Sequence, residues 1–159
     1  MRAVVIGVLA VLVLGLGGAV VWITRDLGAE RDRAVEREAV VRAAGAHAVN
    51  VLSVSHQNVE DDIRRVLASS TGAARDAYQA GVARLRQTTV ANKVVQTGVL
   101  RAVGVVSMDE TTAKALVVAD GVIYWEGKDA APQERFYRWT MDLTKTGGSW
   151  LVSRWEEVQ

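Results

Sequence analysis

The most constraining feature of the sequence is an uninterrupted apolar run from Ala3 to Ile23. The run has 21 residues and contains no charged side chain, no polar side chain and no proline. Because an α-helix rises about 1.5 Å per residue, a helix of this length crosses a hydrocarbon core about 30 Å thick. A lone span must pair every backbone N–H and C=O internally, which only a helix does. The run therefore predicts a transmembrane anchor over residues 1–24, with Trp22 as an interfacial residue.

A cleaved secretory signal is the alternative interpretation of the same run. Signal peptides carry an apolar core of about 7–15 residues followed by a cleavage site after small residues. This run is longer, and its small residues Gly17, Gly18 and Ala19 are followed by more apolar side chains instead of a polar exit. We therefore favour a retained anchor, and either interpretation delivers the rest of the chain to a membrane.

The residues that follow the anchor are enough for about one domain. Their charge and cysteine content exclude several classes of function. Arg2 is the only charged residue before Arg25, so the chain from Arg25 onward has 18 basic and 18 acidic side chains. Nucleic-acid-binding domains carry a basic excess or a basic stripe, so nucleic acid is not an expected partner. The absence of cysteine excludes disulfides, thiolate metal sites and cysteine nucleophiles.

Three helices are predicted after the anchor. Residues 25–39 are rich in Arg, Glu and Ala with little apolar face, which is typical of a solvated helical stalk. From Val40 to Leu52 an apolar stripe indicates that the same helix docks on a core, at the start of a domain over residues 40–159. Two more helices follow, from Asn58 to about Ala68 and from about Ala73. Small and apolar residues recur every seven positions along the stalk, so self-association of the chain through this helix remains an alternative.

Four strands follow the helices. Their patterns cover Val94–Ser107, Lys114–Trp125, Arg135–Thr144 and Trp150–Val158. Gly98 and Gly104 mark candidate bulges in the first of them. Helices followed by consecutive hairpins predict an α+β domain in which about three helices pack on one face of a curved four-stranded antiparallel sheet, a cystatin-like cone. Such a cone often encloses a pocket, so a ligand site has to be considered.

The two histidines, His47 and His56, are the first candidates for chemistry. They lie nine residues apart across a helix end and lack the spacing of a helical metal pair, and the sequence suggests no further ligand beyond a generic carboxylate. We interpret both as solvated or capping residues.

The acidic run Glu60-Asp61-Asp62 falls in a first helical turn, where carboxylates stabilise the positive end of the helix dipole, so a structural role is favoured over a catalytic one. Tyr78 and Tyr137 are the residues that could enter a cone pocket, although an inward tyrosine is more often part of a core. No glycine-rich phosphate loop follows a strand. The sequence thus assigns no catalytic, cofactor-binding or metal-binding residue.

Four tryptophans lie in the sheet region. The alternation of its strand places Trp139 in the core. Trp125 and Trp155 are less determined, and one of them could lie on an exposed partner-binding face.

Three segments carry a family resemblance, together with the apolar span and the Arg/Glu/Ala stalk. They are ASSTGAARDAYQAG (Ala68–Gly81), GVLRAVGVVSMDETTAKALVVADG (Gly98–Gly121) and GGSWLVSRWEEV (Gly147–Val158). In this order and spacing they resemble the Mce-associated membrane proteins of actinobacteria. Ala74 stands where that family has a bulky aromatic residue.

The resemblance implies a single-pass plasma-membrane protein with a cytoplasmic N-terminus and its C-terminal domain outside. The implied fold is shared with the type IV secretion assembly factor of the inner membrane and with SnoaL-like polyketide cyclases. The implied role is non-enzymatic: to assemble or stabilise an Mce lipid or sterol importer by contacts with its subunits. Two alternatives stay open, a scaffold subunit of a conjugation or type IV secretion-like machine, and an enzyme that processes a lipid or small molecule in the cone pocket.

Overall fold

The computed structural model describes residues 30–158. The predicted anchor and the first part of the predicted stalk lie outside these residues. Within them, no helix is both long enough and apolar enough to cross a membrane. The chain divides into two compact units between Glu36 and Arg37. In the first unit, residues 30–36 are helical, and Glu30 pairs with Arg33 at 3.1 Å on the helix surface.

The second unit contains the packed domain. Helix α1 covers residues 30–52 and enters this unit at Arg37. The elements that follow are β1 (Val54–Ser55), α2 (Val59–Ala68), α3 (Gly72–Ala91), β2 (Val94–Met108), β3 (Thr112–Trp125), β4 (Gln133–Thr146) and β5 (Ser149–Glu157). The prediction of an α+β domain with three helices is confirmed.

The sheet has five antiparallel strands in the order β1-β2-β3-β4-β5, so the predicted number of four is wrong. The additional strand β1 has two residues, and Val54 pairs with Gln96 while Ser55 pairs with Val95. A two-residue strand is too short to show an alternation of polar and apolar side chains, so the sequence pattern does not reveal it.

Strand β2 contains two bulges, and neither lies at the predicted glycines. Register shifts leave one extra residue in β2 at Arg101 and another at Val106. Gly98 instead lies where α1 approaches β2: a Cβ at this position would stand 2.6 Å from the Leu52 Cβ atom and 3.2 Å from the Val49 carbonyl oxygen. Gly104 has open space around it, with nothing within 4 Å of such a Cβ.

The β4–β5 hairpin turns at the two consecutive glycines that separate its strands. Gly147 and Gly148 form the two-residue loop, with φ angles of 58° and 82°. Positive φ at both central positions is the geometry of the hairpin turn whose twist matches that of the strands, and glycine adopts it without steric cost.

One face of the sheet, the inner face, packs against the helices. Ala113, Ala115, Val117 and Ala119 of β3 are almost completely buried there. Their short side chains allow α1 to lie close to the sheet. The main core is made by the buried side chains of α1, α3 and strands β3 to β5: Val40, Ala44, Ala48, Leu52, Ala74, Ala113, Ala115, Val117, Ala119, Trp139, Met141, Leu143, Trp150 and Val152. The predicted core position of Trp139 is confirmed.

A second, smaller cluster fixes α2 and α3 to the start of the sheet. It contains Val54, Val59, Ile63 and Val82, with Tyr78 packed against it. The linker between α2 and α3 also contacts the sheet, because Val152 of β5 accepts a 2.8 Å hydrogen bond from the Thr71 N–H and donates one of 3.1 Å to the Ser69 carbonyl.

Candidate functional site

His47 is completely buried, so the prediction of a solvated or capping histidine is wrong for this residue. Its ring lies between three parts of the domain: it belongs to α1, its Nδ1 atom is 2.8 Å from the Ser69 Oγ atom, and its centroid is 5.1 Å from that of Trp155. The signal was present in the sequence, because His47 follows Val40 by seven residues and Ala44 by three and therefore belongs to the apolar stripe.

The hydrogen bonds around His47 leave one ring nitrogen without a partner. The Ser69 hydroxyl lies 3.0 Å from the carbonyl oxygens of Arg65 and Val66 and donates to them. The Nδ1–H of His47 then donates to Ser69, and the buried Nε2 atom has no hydrogen-bond partner among residues 30–158. Burial lowers the pKa of His47 from 6.5 to about 4 because the charged ring loses its hydration. His47 is therefore neutral at physiological pH.

His56 lies near the surface and connects the ends of β1 and β3. Its Nε2 atom contacts the Glu126 Oε2 atom, and its backbone N–H donates to the Val94 carbonyl at 2.9 Å. The hydrogen bond from His56 lowers the pKa of Glu126, which is exposed. His56 keeps 16% of its side chain exposed, which agrees with a residue near the surface.

The acidic run lies in the first turn of α2, as predicted, and two of its carboxylates also contact other elements of the domain. Asp62 is buried and accepts a 2.7 Å hydrogen bond from the Ser55 N–H, so it holds β1 in place. Glu60 forms an ion pair with Arg86 of α3 through two hydrogen bonds, and the hydrogen bonding by Arg86 lowers the pKa of Glu60. Among residues 30–158, no three His, Asp or Glu side chains are grouped closely enough to hold a metal ion.

The two tyrosines considered for a pocket lie in different places. Tyr78 is half-buried against the second cluster, where burial, followed by the nearby Asp62 carboxylate, raises its pKa. Tyr137 is half-buried against the main core, with its ring 5.1 Å from that of Trp139. They therefore do not converge on one site. Trp125 and Trp155 are both half-buried, so neither lies fully on an exposed face.

Among residues 30–158, several large exposed apolar side chains share the opposite face of the sheet. Alternation places Val99 of β2, Leu116, Val118 and Tyr124 of β3 and Phe136 of β4 on this side, and we refer to these five residues as the outer patch. Their exposures range from 37% for Val118 to 69% for Phe136. Large exposed apolar patches are typical of protein–protein contact sites.

The fold defines a class of protein, the cone-shaped α+β domains in which helices cover one face of a curved antiparallel sheet. An IcmL-like type IV secretion system protein from Legionella pneumophila has this fold, with a TM-score of 0.64, 12% identity, and coverage of 77% of this chain and 91% of that chain. The periplasmic domain of DotI matches with a TM-score of 0.62 and 13% identity, over 75% of this chain and 92% of that chain. At such identities the likeness establishes the fold.

The family follows from the sequence itself. The model of the family described as "Uncharacterized protein Rv1363c/MT1408-like" matches residues 1–159, and the chain belongs to this family. The protein Rv1363c from Mycobacterium tuberculosis (strain ATCC 25618 / H37Rv) is 32% identical over 148 residues, which cover 91% of this chain and 54% of that relative. The chain thus spans about half the length of the curated relative that it matches.

Proposed function

We propose that this chain is a membrane-anchored, non-enzymatic scaffold subunit of a multi-protein machine in the cell envelope. The observation that carries the proposal is the fold of its domain, which resembles an IcmL-like type IV secretion system protein over 77% of the chain. A scaffold needs a rigid module with a surface for neighbours. The packed domain supplies the module, and the outer patch supplies exposed apolar surface.

The proposed location is the plasma membrane, with a single span over residues 1–24 and the domain on the extracytoplasmic side. The 21-residue apolar run supports the span, since its length matches the hydrocarbon core. The likeness to the periplasmic domain of DotI supports the side. A reporter that is active only outside the cytoplasm, fused after Gln159, tests this topology, and activity of a cytoplasmic reporter at the same position would contradict it.

The contacts of the described polar groups support a non-enzymatic role. His47, His56, Asp62 and Glu60 each join two elements of the domain, so each has a role in holding the fold together. A turnover measured for the purified full-length chain, abolished by a substitution such as Tyr78→Phe or Tyr137→Phe without loss of stability, would overturn this part of the proposal.

An accessory role in an Mce-type lipid or sterol importer is the second candidate, and the resemblance of the three sequence segments favours it. The two candidates differ in what deletion should do. Loss of protein or DNA transfer with normal lipid uptake is the result expected for a secretion scaffold, whereas loss of lipid uptake and of importer subunits would support the importer role.

Crosslinking in native membranes tests the shared part of both candidates. The full-length chain, tagged at its C-terminus, is crosslinked in cells, extracted in mild detergent and purified, and the attached proteins are identified by mass spectrometry. We expect envelope-machine subunits to be enriched over a control in which the same tag follows an unrelated single-span protein. Recovery of the chain without specific partners at native expression levels would refute a scaffold role.

A further inference from the structure

The buried ring of His47 is the point at which three elements of the domain meet. It belongs to α1, its Nδ1–H donates to the Ser69 hydroxyl, and its centroid lies 5.1 Å from that of Trp155 in β5. Ser69 is the first residue of the linker between α2 and α3. In this linker, the Thr71 N–H and the Ser69 carbonyl hold the backbone of Val152 in β5 by hydrogen bonds of 2.8 and 3.1 Å. One side chain therefore connects α1 to the segment that covers part of the β5 edge.

The surroundings of the ring suit only its neutral form. His47 is completely buried, and its Nε2 atom has no hydrogen-bond partner in the described part of the chain. A protonated imidazole carries an N–H group on both nitrogens and a full positive charge. Protonation would therefore place a charged donor in a site that is closed to solvent and offers it no acceptor within residues 30–158. Such a state costs free energy unless the site opens to water.

The charged groups of the elements around the ring do not compensate this charge. The residues one helical turn before and after His47 in α1 are uncharged, and burial alone accounts for its lowered pKa. Charged side chains elsewhere on α1, α2, α3 and β5 are paired with other groups or exposed. They are the ion pairs Glu38–Arg42, Glu60–Arg86, Asp61–Arg64, Asp62–Arg65 and Arg154–Glu156, Arg75 on the Leu67 carbonyl, and the exposed Asp76, Arg84 and Glu157.

The linker is the part of this contact that opens at the lowest cost. α1 is fixed by four core side chains that are at most 2% exposed, and β5 is paired with β4 along its length. Of the linker residues, Ser70 alone is buried, and the linker meets the sheet at a single bridge to Val152. Segments with few buried contacts open locally while the rest of a domain stays folded. Displacing the linker also takes Ser69 away from the ring and admits water to it.

We propose that His47 is an acid-sensitive switch: when its ring is protonated, the linker between α2 and α3 leaves β5 and exposes the backbone groups of Val152, while the rest of the domain stays folded. The inference goes beyond the proposed function and does not depend on it, because it follows from the packing of this domain alone.

Proton linkage sets the size of the response. In the opened state the hydrated ring binds a proton with a pKa of 6.5, whereas burial lowers its pKa to about 4 in the closed state. The opened state therefore binds more protons between these two values. Lowering the pH from about 7.5 to about 5 raises the equilibrium constant for opening about 25-fold.

Amide hydrogen exchange tests the proposal, because the Thr71 and Val152 N–H groups donate the two hydrogen bonds that close the linker. Exchange of the full-length chain in a non-ionic detergent is followed by NMR at both pH values, and each rate is divided by the intrinsic rate at that pH. We expect opening at both amides to rise about 25-fold in the wild type and less than about threefold in His47→Leu. His47→Gln, a second non-titrating variant that keeps a polar side chain, should behave as His47→Leu does.

Two controls separate the switch from other effects of acid. The Lys145 N–H, which donates to the Thr111 carbonyl at 2.8 Å far from the linker in sequence, should show less than about a threefold rise. His56→Gln removes the other histidine of the chain and should leave the response of the linker unchanged.

Low concentrations of urea distinguish local opening from global unfolding. A local opening exposes little surface, so exchange at Thr71 and Val152 should not respond to urea below the unfolding transition. Exchange at Met141, in a strand that is paired on both sides, should increase with urea.

Three results would overturn the proposal. The first is equal pH dependence of the linker amides in the wild type and in a folded His47 variant. The second is wild-type protection at Thr71 and Val152 that does not change between the two pH values. The third is a rise that occurs only together with that of Met141 and depends equally on urea, because the whole domain would then be unfolding.

Discussion

Acidification should weaken the folded state through one buried side chain, the imidazole of His47. In the unfolded chain this ring binds a proton with a pKa of 6.5, whereas burial lowers its pKa to about 4 in the folded domain. Between these values the unfolded state binds more protons, so the free energy of unfolding falls as the pH falls. At pH 5 the ring is almost fully protonated when unfolded and about one-tenth protonated when folded, which corresponds to a loss of about 2 kcal/mol relative to pH 7.5.

The measurement is urea unfolding of the full-length chain in a non-ionic detergent, followed by tryptophan fluorescence at several pH values. His47→Leu is the matched variant, because it fills a similar volume, removes the unpaired Nε2 atom and leaves Ser69 bonded to backbone carbonyls. We expect the wild-type curve to lose about 2 kcal/mol between about pH 7.5 and about pH 5 beyond any loss of the variant. The exposed carboxylates Glu60 and Glu126, whose pKa values are lowered, weaken the fold mainly at lower pH.

Two results would refute this reasoning. Parallel pH profiles of the wild type and His47→Leu, differing by less than about 0.5 kcal/mol over the window, would show that the ring is not held neutral by burial. An NMR titration of the His47 ring in the folded protein with a midpoint near 6.5 would lead to the same conclusion.

Three further substitutions test the packing of the domain by the same unfolding assay. Gly98→Ala should destabilise the domain by about 1–3 kcal/mol, because the new methyl group would collide with α1. Gly104→Ala should change the stability by less than about 0.5 kcal/mol. Equal effects of the two substitutions would contradict the close approach of α1 at Gly98. Asp62→Ala should cost about 1–3 kcal/mol, because it leaves the partly buried Ser55 N–H without its hydrogen-bond acceptor. Asp61→Ala, which removes an exposed ion pair, should cost at most about 1 kcal/mol, and a reversed order would contradict the assigned roles. Met141→Ala should cost about 2–5 kcal/mol because Met141 is completely buried, and a value below about 1 kcal/mol would show that the core is loosely packed.

Strand β4 was predictable because its side chains alternate. In β4, Tyr137, Trp139, Met141 and Leu143 occupy every second position and point to the inner face, as the pattern indicated. The glycine pair of the last hairpin was equally informative, since a two-residue turn requires positive φ at both positions.

Other features depend on contacts between distant parts of the chain. Gly98 and Gly104 look alike in the sequence, yet one lies under α1 and the other is open to solvent. His47 was interpreted from its residue type instead of from its place in the apolar stripe. The outer patch was missed because Leu116 and Val118 sit in a β3 run whose other face is also apolar, so hydrophobicity alone did not separate buried positions from exposed ones.

The linker between α2 and α3 affects how readily the domain aggregates at high local concentration. A terminal strand such as β5 presents unpaired N–H and C=O groups that can recruit strands from other molecules and begin aggregation. Here the Ser69 carbonyl and the Thr71 N–H form hydrogen bonds with the backbone N–H and carbonyl of Val152. Part of the β5 edge is therefore unavailable for pairing with another strand. Shortening or loosening this linker would free the edge, and copies concentrated on one surface would then be able to join into open-ended ribbons.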